Sequence, residues 1–342
     1  MRILKNIVLG LVALLVAGVV GAVIYYRDIP AETIEAKYGT PDSQFMDLDG
    51  IRLHFRDEGA GPAVLLMHAH WDSLVMWDSW AEAMTDSYRV VRFDPPGRGL
   101  SSGAPTGDYS MDRFIEIVER FTEARGIDDF YLGGTSIGGT IAIRFAAKHP
   151  DRVKRLILVS PGALNERVRG SDTPPELPFW IDALTYVTPR AMFGFMLRSG
   201  YGDPEKVTDE IIDRWWEMQL AEGHRAASIA RQRQYISGNI VEVMGTLTMP
   251  TLIMWGEENP VVTVDQAYET QKIMAKSDTT LIIYDGVGHM AVNEAPERTA
   301  ADARAYLDAA EAAAAAAPAT DALPGEAFIF EGALEESSPP TD

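Results

Sequence analysis

The chain has 342 residues, 46% of them hydrophobic, which is enough for one large core or two modest ones. Its net charge of −20, with a pI near 4.7, argues against nucleic acid or an anionic surface as a partner. It has no cysteine, which excludes disulfides, thiolate catalysis and zinc–thiolate sites.

In chain order, Ile7 to Tyr26 is an uncharged run of 20 residues, long enough to cross a bilayer as a helix. Arg2 and Lys5 precede it and Arg27-Asp28 follow, so the positive-inside bias places the remainder of the chain outside the cytoplasm. The expectation for residues 1–27 is an uncleaved single-pass anchor, with secretion after signal cleavage as the alternative. Residues 28–44, including Pro30 to Pro41, read as a linker. Phe45 to Arg56 alternates around Asp49-Gly50 and predicts a hairpin. Ala63 to Met67 is a buried strand, Trp77 to Thr85 is helix-like, and Tyr88 to Phe93 is a strand ending at Asp94-Pro95-Pro96-Gly97. Met111 to Arg125 carries Phe114, Ile117, Val118 and Phe121 at helical spacing. Asp129 to Leu132, Val153 to Val159, Thr251 to Trp255 and Leu281 to Tyr284 are further strands, and Ala295 to Ala309 is the last helix. Strands alternating with helices predict an α/β fold: a mostly parallel sheet with helices on both faces, over 45–164 and 248–309. Residues 165–247 contain no convincing strand and many large apolar residues, and are expected to form a helical cap. The acidic stretch 310–342 reads as a disordered tail, in which Phe328-Ile329-Phe330 is a candidate docking motif.

Two motifs carry chemistry. Between the strand at Asp129 and the helix at Thr140 lies G-x-S-x-G, filled by Gly134, Ser136 and Gly138. A sharp strand-to-helix turn puts its apex in a strained conformation, and flanking glycines remove the clashing Cβ atoms. A serine hydroxyl needs a base to become a nucleophile. His289, in Gly286-Val287-Gly288-His289 after the last strand, is the candidate. His54, His149 and His224 read as structural or surface residues.

This order of motifs resembles the α/β-hydrolase family, in its lidded branch of epoxide-hydrolase, haloperoxidase and carbon–carbon-hydrolase relatives, over about Phe45 to Leu307. Met67-His68-Ala69-His70-Trp71 and Asp94-Pro95-Pro96-Gly97-Arg98-Gly99-Leu100-Ser101 match two more of its loops. The resemblance implies Ser136 as nucleophile, His289 as base, and an oxyanion hole from the backbone N–H groups of His70 and Ile137. The aromatic residues of the cap suggest an apolar pocket, for which Trp71, Trp180 and Trp216 are the candidate substrate contacts. The family's acid position holds Asn259, in Gly256-Glu257-Glu258-Asn259-Pro260. Three readings stay open: Glu258 swings in as the acid, Asn259 supports weak or specialised activity, or the site binds without turnover. The expected function is a serine hydrolase acting on a small apolar carboxylic ester or related acyl compound, with a binding protein or a carbon–carbon hydrolase or lyase as rivals. The expected partners are that small molecule and, through the first helix, a bilayer. No cofactor or metal is called for: His68-Ala69-His70-Trp71-Asp72 matches H-x-H-x-D, but Ser73 stands where a zinc motif wants a further histidine.

Overall fold

The protein is described by a computed structural model that covers residues 2–165 and 169–316. By its contacts the chain divides into two units, after Tyr306. In chain order the elements begin with α1 (Arg2–Tyr25), α2 (Ala31–Tyr38), β1 (Gln44–Leu48), β2 (Ile51–Glu58), β3 (Ala63–Met67), α3 (Asp78–Met84) and β4 (Arg89–Phe93). There follow α4 (Met111–Ala124), β5 (Phe130–Thr135), α5 (Ile137–Lys148) and β6 (Val153–Val159). Then come α6 (Arg190–Gly200), α7 (Asp209–Leu220), α8 (His224–Gln234) and α9 (Ile240–Met244). The chain returns through β7 (Thr251–Gly256), α10 (Asp265–Ile273), β8 (Thr279–Tyr284), α11 (Ala291–Glu294) and α12 (Pro296–Ala316).

The strands form one eight-stranded sheet in the order β1-β2-β4-β3-β5-β6-β7-β8, parallel from β4 to β8. β2 runs antiparallel to both of its neighbours. Asp49 and Gly50 both have positive φ (58° and 77°), the two-residue turn that lets Leu48 face Ile51. β5 is buried along its whole length, as a strand covered on both faces must be. α4 buries Phe114, Ile117, Val118 and Phe121, the stripe its spacing predicts, and the Ser110 side chain accepts a hydrogen bond from the Arg113 N–H at its start. The parallel strands all send their carboxyl ends to one rim, so residues far apart in sequence meet there.

Two expectations need correction. The linker holds a helix, Ala31–Tyr38, whose Ile34 is buried against Met218 and Ala221. Ile29 donates its N–H to the Leu220 carbonyl at 2.8 Å and accepts from the Glu222 N–H at 3.1 Å, and Asp28 pairs with Arg225. The other correction lies at the far end. α12 continues to Ala316 because the run after Ala309 is almost all alanine, the best helix former. The rest of the acidic tail, with Phe328-Ile329-Phe330, and the segment 166–168 lie outside the described residues. Between β6 and β7 the described elements are helical, except for the single bridge of Ala221 to Ile29.

Candidate active site

β5 stops at Thr135, and Ser136 takes φ 51°, ψ −119° before α5 begins at Ile137. Only a crowded, over-determined turn holds a serine there. The glycines are required by space. A Cβ on Gly134 would come within 2.5 Å of the Gly138 carbonyl carbon, and one on Gly138 within 2.4 Å of the Met67 oxygen. The second contact lets the elbow press on the end of β3, the strand that leads into His68, Ala69 and His70. Ile137 is the first residue of α5, so its N–H finds no carbonyl one turn back within the helix. That free end also carries the positive pole of the helix dipole.

His289 follows β8 and is buried, at 8% exposure. Its N–H donates to the Gly200 carbonyl at 2.7 Å. Its Nε2 lies 3.1 Å from Ser136 Oγ. Its Nδ1 lies 3.2 Å from Asn259 Nδ2. The backbone fixes which way the amide faces: Asn259 Oδ1 accepts the N–H groups of Val261 and Val262, both at 3.0 Å. The NH₂ group therefore points at the imidazole and donates to Nδ1, so the ring proton resides on Nε2 and is directed at Ser136. Burial lowers the His289 pKa to about 4. Glu258 does not take the acid's place. Its N–H is tied to the Val287 carbonyl at 2.9 Å and its side chain is exposed, while Asn259 is the residue that turns inward.

The pocket above Ser136 has a volume of about 170 Å³, and Trp71, Met196, Leu197, Trp215, Val261 and Met290 form its apolar walls. By the space one water needs, this holds about a dozen non-hydrogen atoms. Trp71 is one of these wall residues. It is held at φ 66°, and its Nε1 donates to Ser228 Oγ on α8 at 3.1 Å. Trp180 and Trp216 are not in the wall. Trp180 is 54% exposed, and Trp216 donates Nε1 to the Thr188 carbonyl at 2.7 Å within the cap. Trp215 takes the role because Ile212, Trp215 and Met218 share the inward face of α7, and one residue further on turns through 100°.

The sequence reading missed a charged neighbour as well. Arg231 of α8 is buried, and its Nη2 is 3.4 Å from Nε2 of His70, which also lines the pocket. Burial lowers the Arg231 pKa to about 9. Burial first, and then the Arg231 charge, hold His70 well below its ordinary pKa, so His70 is neutral with Nε2 as acceptor. Asp94 pins the loops beneath. It accepts the Leu74 N–H at 2.7 Å and the Leu100 N–H at 2.9 Å, and sits 2.7 Å from His54 Nδ1. Arg98 reaches across to α7 and α8, donating to Gln219 at 2.6 Å and Ser228 at 2.7 Å. Glu294, buried just after the base loop, accepts the Gly288 N–H at 3.0 Å and the Gly202 N–H at 2.8 Å, tying that loop to the cap.

Comparison with known proteins agrees with this architecture. The family described as alpha/beta hydrolase fold matches residues 62–200. An uncharacterised protein of Mycobacterium tuberculosis is 28% identical over 80% of this chain and 83% of its own. A 2-hydroxy-6-oxo-6-phenylhexa-2,4-dienoate hydrolase of Comamonas testosteroni is 26% identical over 72% of this chain and 87% of its own. Among solved structures, a putative lipase of Acinetobacter baumannii superposes with a TM-score of 0.69 at 23% identity, covering 84% of this chain and 98% of that one.

Proposed function

We propose, from the premise that this chain is an α/β-hydrolase in fold, that it is a serine hydrolase of restrained turnover acting on a small apolar carboxylic ester or related acyl compound. The observation that carries the reading is Ser136 Oγ, raised on a positive-φ turn 3.1 Å from His289 Nε2 at the floor of an apolar pocket. In this reading Ser136 attacks the acyl carbon and its proton passes to His289 Nε2. The oxyanion rests on the N–H groups of Ile137 and His70, and the alcohol leaves with the proton from His289. Water, deprotonated by the same imidazole, then releases the acid and restores Ser136.

Asn259 is what restrains the turnover. His289 can accept the serine proton only as the Nδ1–H tautomer, which would face the Asn259 NH₂ donor to donor. Turning the amide over would leave the Val261 and Val262 N–H groups facing that NH₂ instead, a cost of roughly 2 kcal/mol at least. That is a factor of about 30 in rate. The same observation favours a second reading, a protein that binds in this pocket without turnover. A carbon–carbon hydrolase is the third, supported by the relative from Comamonas testosteroni, and substrate screening separates it from an esterase. α1, a 24-residue helix with an 18-residue stretch of mean hydropathy 3.0, is a candidate membrane anchor or signal. We read it as an anchor with the hydrolase domain outside the cytoplasm.

The test is labelling with a fluorophosphonate together with hydrolysis of p-nitrophenyl butyrate. Stoichiometric labelling that vanishes in Ser136→Ala is expected. An unlabelled wild-type chain would sink the hydrolase reading and leave binding.

A further inference from the structure

The chain leaving α1 is fastened to the cap. Ile29 bridges to Ala221 between α7 and α8, Asp28 pairs with Arg225, Lys37 Nζ lies 2.6 Å from Glu217, and Ile34 is buried against Met218. From Tyr25, the last residue of α1, to Ile29 is four residues, a reach of about 14 Å at most. A helix of 24 residues is about 36 Å long, and the headgroup layer flanking the apolar core is roughly 5–7 Å deep on each side. If α1 spans a bilayer, the α7–α8 junction lies at or just above the headgroups.

The cap also carries the greater part of the exposed aromatic surface. Beyond α1, the large apolar side chains exposed among the described residues include Phe179 (94%), Trp180 (54%), Tyr186 (61%) and Phe195 (77%), all within a span of 17 residues. The segment adjoins the fastening point, since its Leu184 and Thr188 share a small cavity with Arg225, the partner of Asp28. It carries little charge despite the chain's −20. From Thr173 to Phe195 the charged side chains are Glu176, Asp182 and Arg190; Asp182 is paired with Arg233 at 2.8 Å and Arg190 with Asp209 at 2.9 Å. An aromatic, nearly neutral surface held beside a membrane helix has the composition that favours the headgroup layer.

We infer that the cap face around Phe179, Trp180, Tyr186 and Phe195 is a second membrane contact, seated in the headgroup layer of the bilayer that α1 crosses. The inference rests on the reading of α1 as an anchor. It sets the pocket wall at Met196 and Leu197 next to a lipid-facing Phe195, and so suits an ester dissolved in the membrane surface.

The absence of cysteine permits a clean test. The full-length chain in phosphatidylcholine vesicles carries one cysteine at a time, Phe179→Cys, Phe195→Cys, Ala17→Cys or Glu257→Cys, each labelled with a polarity-sensitive dye. Blue-shifted emission at 179 and 195, quenched several-fold by brominated lipid, with 257 aqueous and 17 deeply quenched, is expected. Aqueous emission at 179 and 195 beside a deeply quenched 17 overturns the contact and spares the anchor. Blue-shifted but unquenched labels at 179 and 195 also overturn it, because a protein surface then covers the face. An aqueous label at 17 overturns the anchor itself, and the contact with it.

Discussion

Asn259 differs from an aspartate by one NH₂ group, and that group faces the base. In Asn259→Asp one carboxylate oxygen keeps the Val261 and Val262 N–H groups while the other accepts a proton from Nδ1, freeing Nε2 to receive the serine proton. We expect ester turnover to rise at least about 30-fold, and at most by the roughly 10⁴ with which the reverse change slows a serine protease. The acid limb of the kcat/KM profile, expected near pH 4 in the wild type, should move up by roughly one to three pH units, since a carboxylate favours the imidazolium. A variant that loses turnover would show that the native chemistry needs the amide. The same burial sets a stability term. Unfolded His289 titrates near 6.5 and folded His289 near 4, so between those values the unfolded chain binds the extra proton. Stability is complete above pH 6.5 and falls by about 3 kcal/mol as the pH drops to 4. Denaturant unfolding of the wild type and His289→Gln at pH 7.5 and 4.5 isolates this share: the variant should lose less on acidification.

At the scale of the element, the turn from β5 into α5 was legible because glycine spacing reports a steric need. Gly138→Ala puts a methyl 2.4 Å from the Met67 oxygen, in backbone that cannot yield cheaply. We expect a loss of about 1–3 kcal/mol in unfolding free energy and a fall in fluorophosphonate labelling of at least tenfold; unchanged labelling would mean that the elbow tolerates a wider turn. The sheet strands and α4 were equally legible, since strand and helix periods are set locally. The cap was legible as helical but not in its phase. Trp215 and Trp216 look alike in sequence, and only the packing of α7 on its neighbours turns 215 toward Ser136 and 216 toward Thr188. The linker failed for a related reason: Ala31–Tyr38 is helical because the cap buries Ile34, a contact made with residues about 180 positions away.

At the scale of the whole molecule, α1 and the folded body divide the work. No residue of α1 is buried, so removing residues 1–27 should leave the melting temperature within about 2 °C while releasing the protein from membranes. A large drop would show that α1 packs on the body. The sequence by itself determined what depends on neighbours in the chain: the apolar run of α1, the order of strands and helices, the elbow, and an asparagine where the fold's usual acid stands. The tertiary structure decided what depends on distance through space. It brought Ser136 and His289 to 3.1 Å across 153 residues, turned the Asn259 amide by giving its oxygen to two backbone donors, exposed Glu258, and placed Arg231 behind His70. Such contacts are written on separate loops and meet only when a parallel sheet carries those loops to one rim.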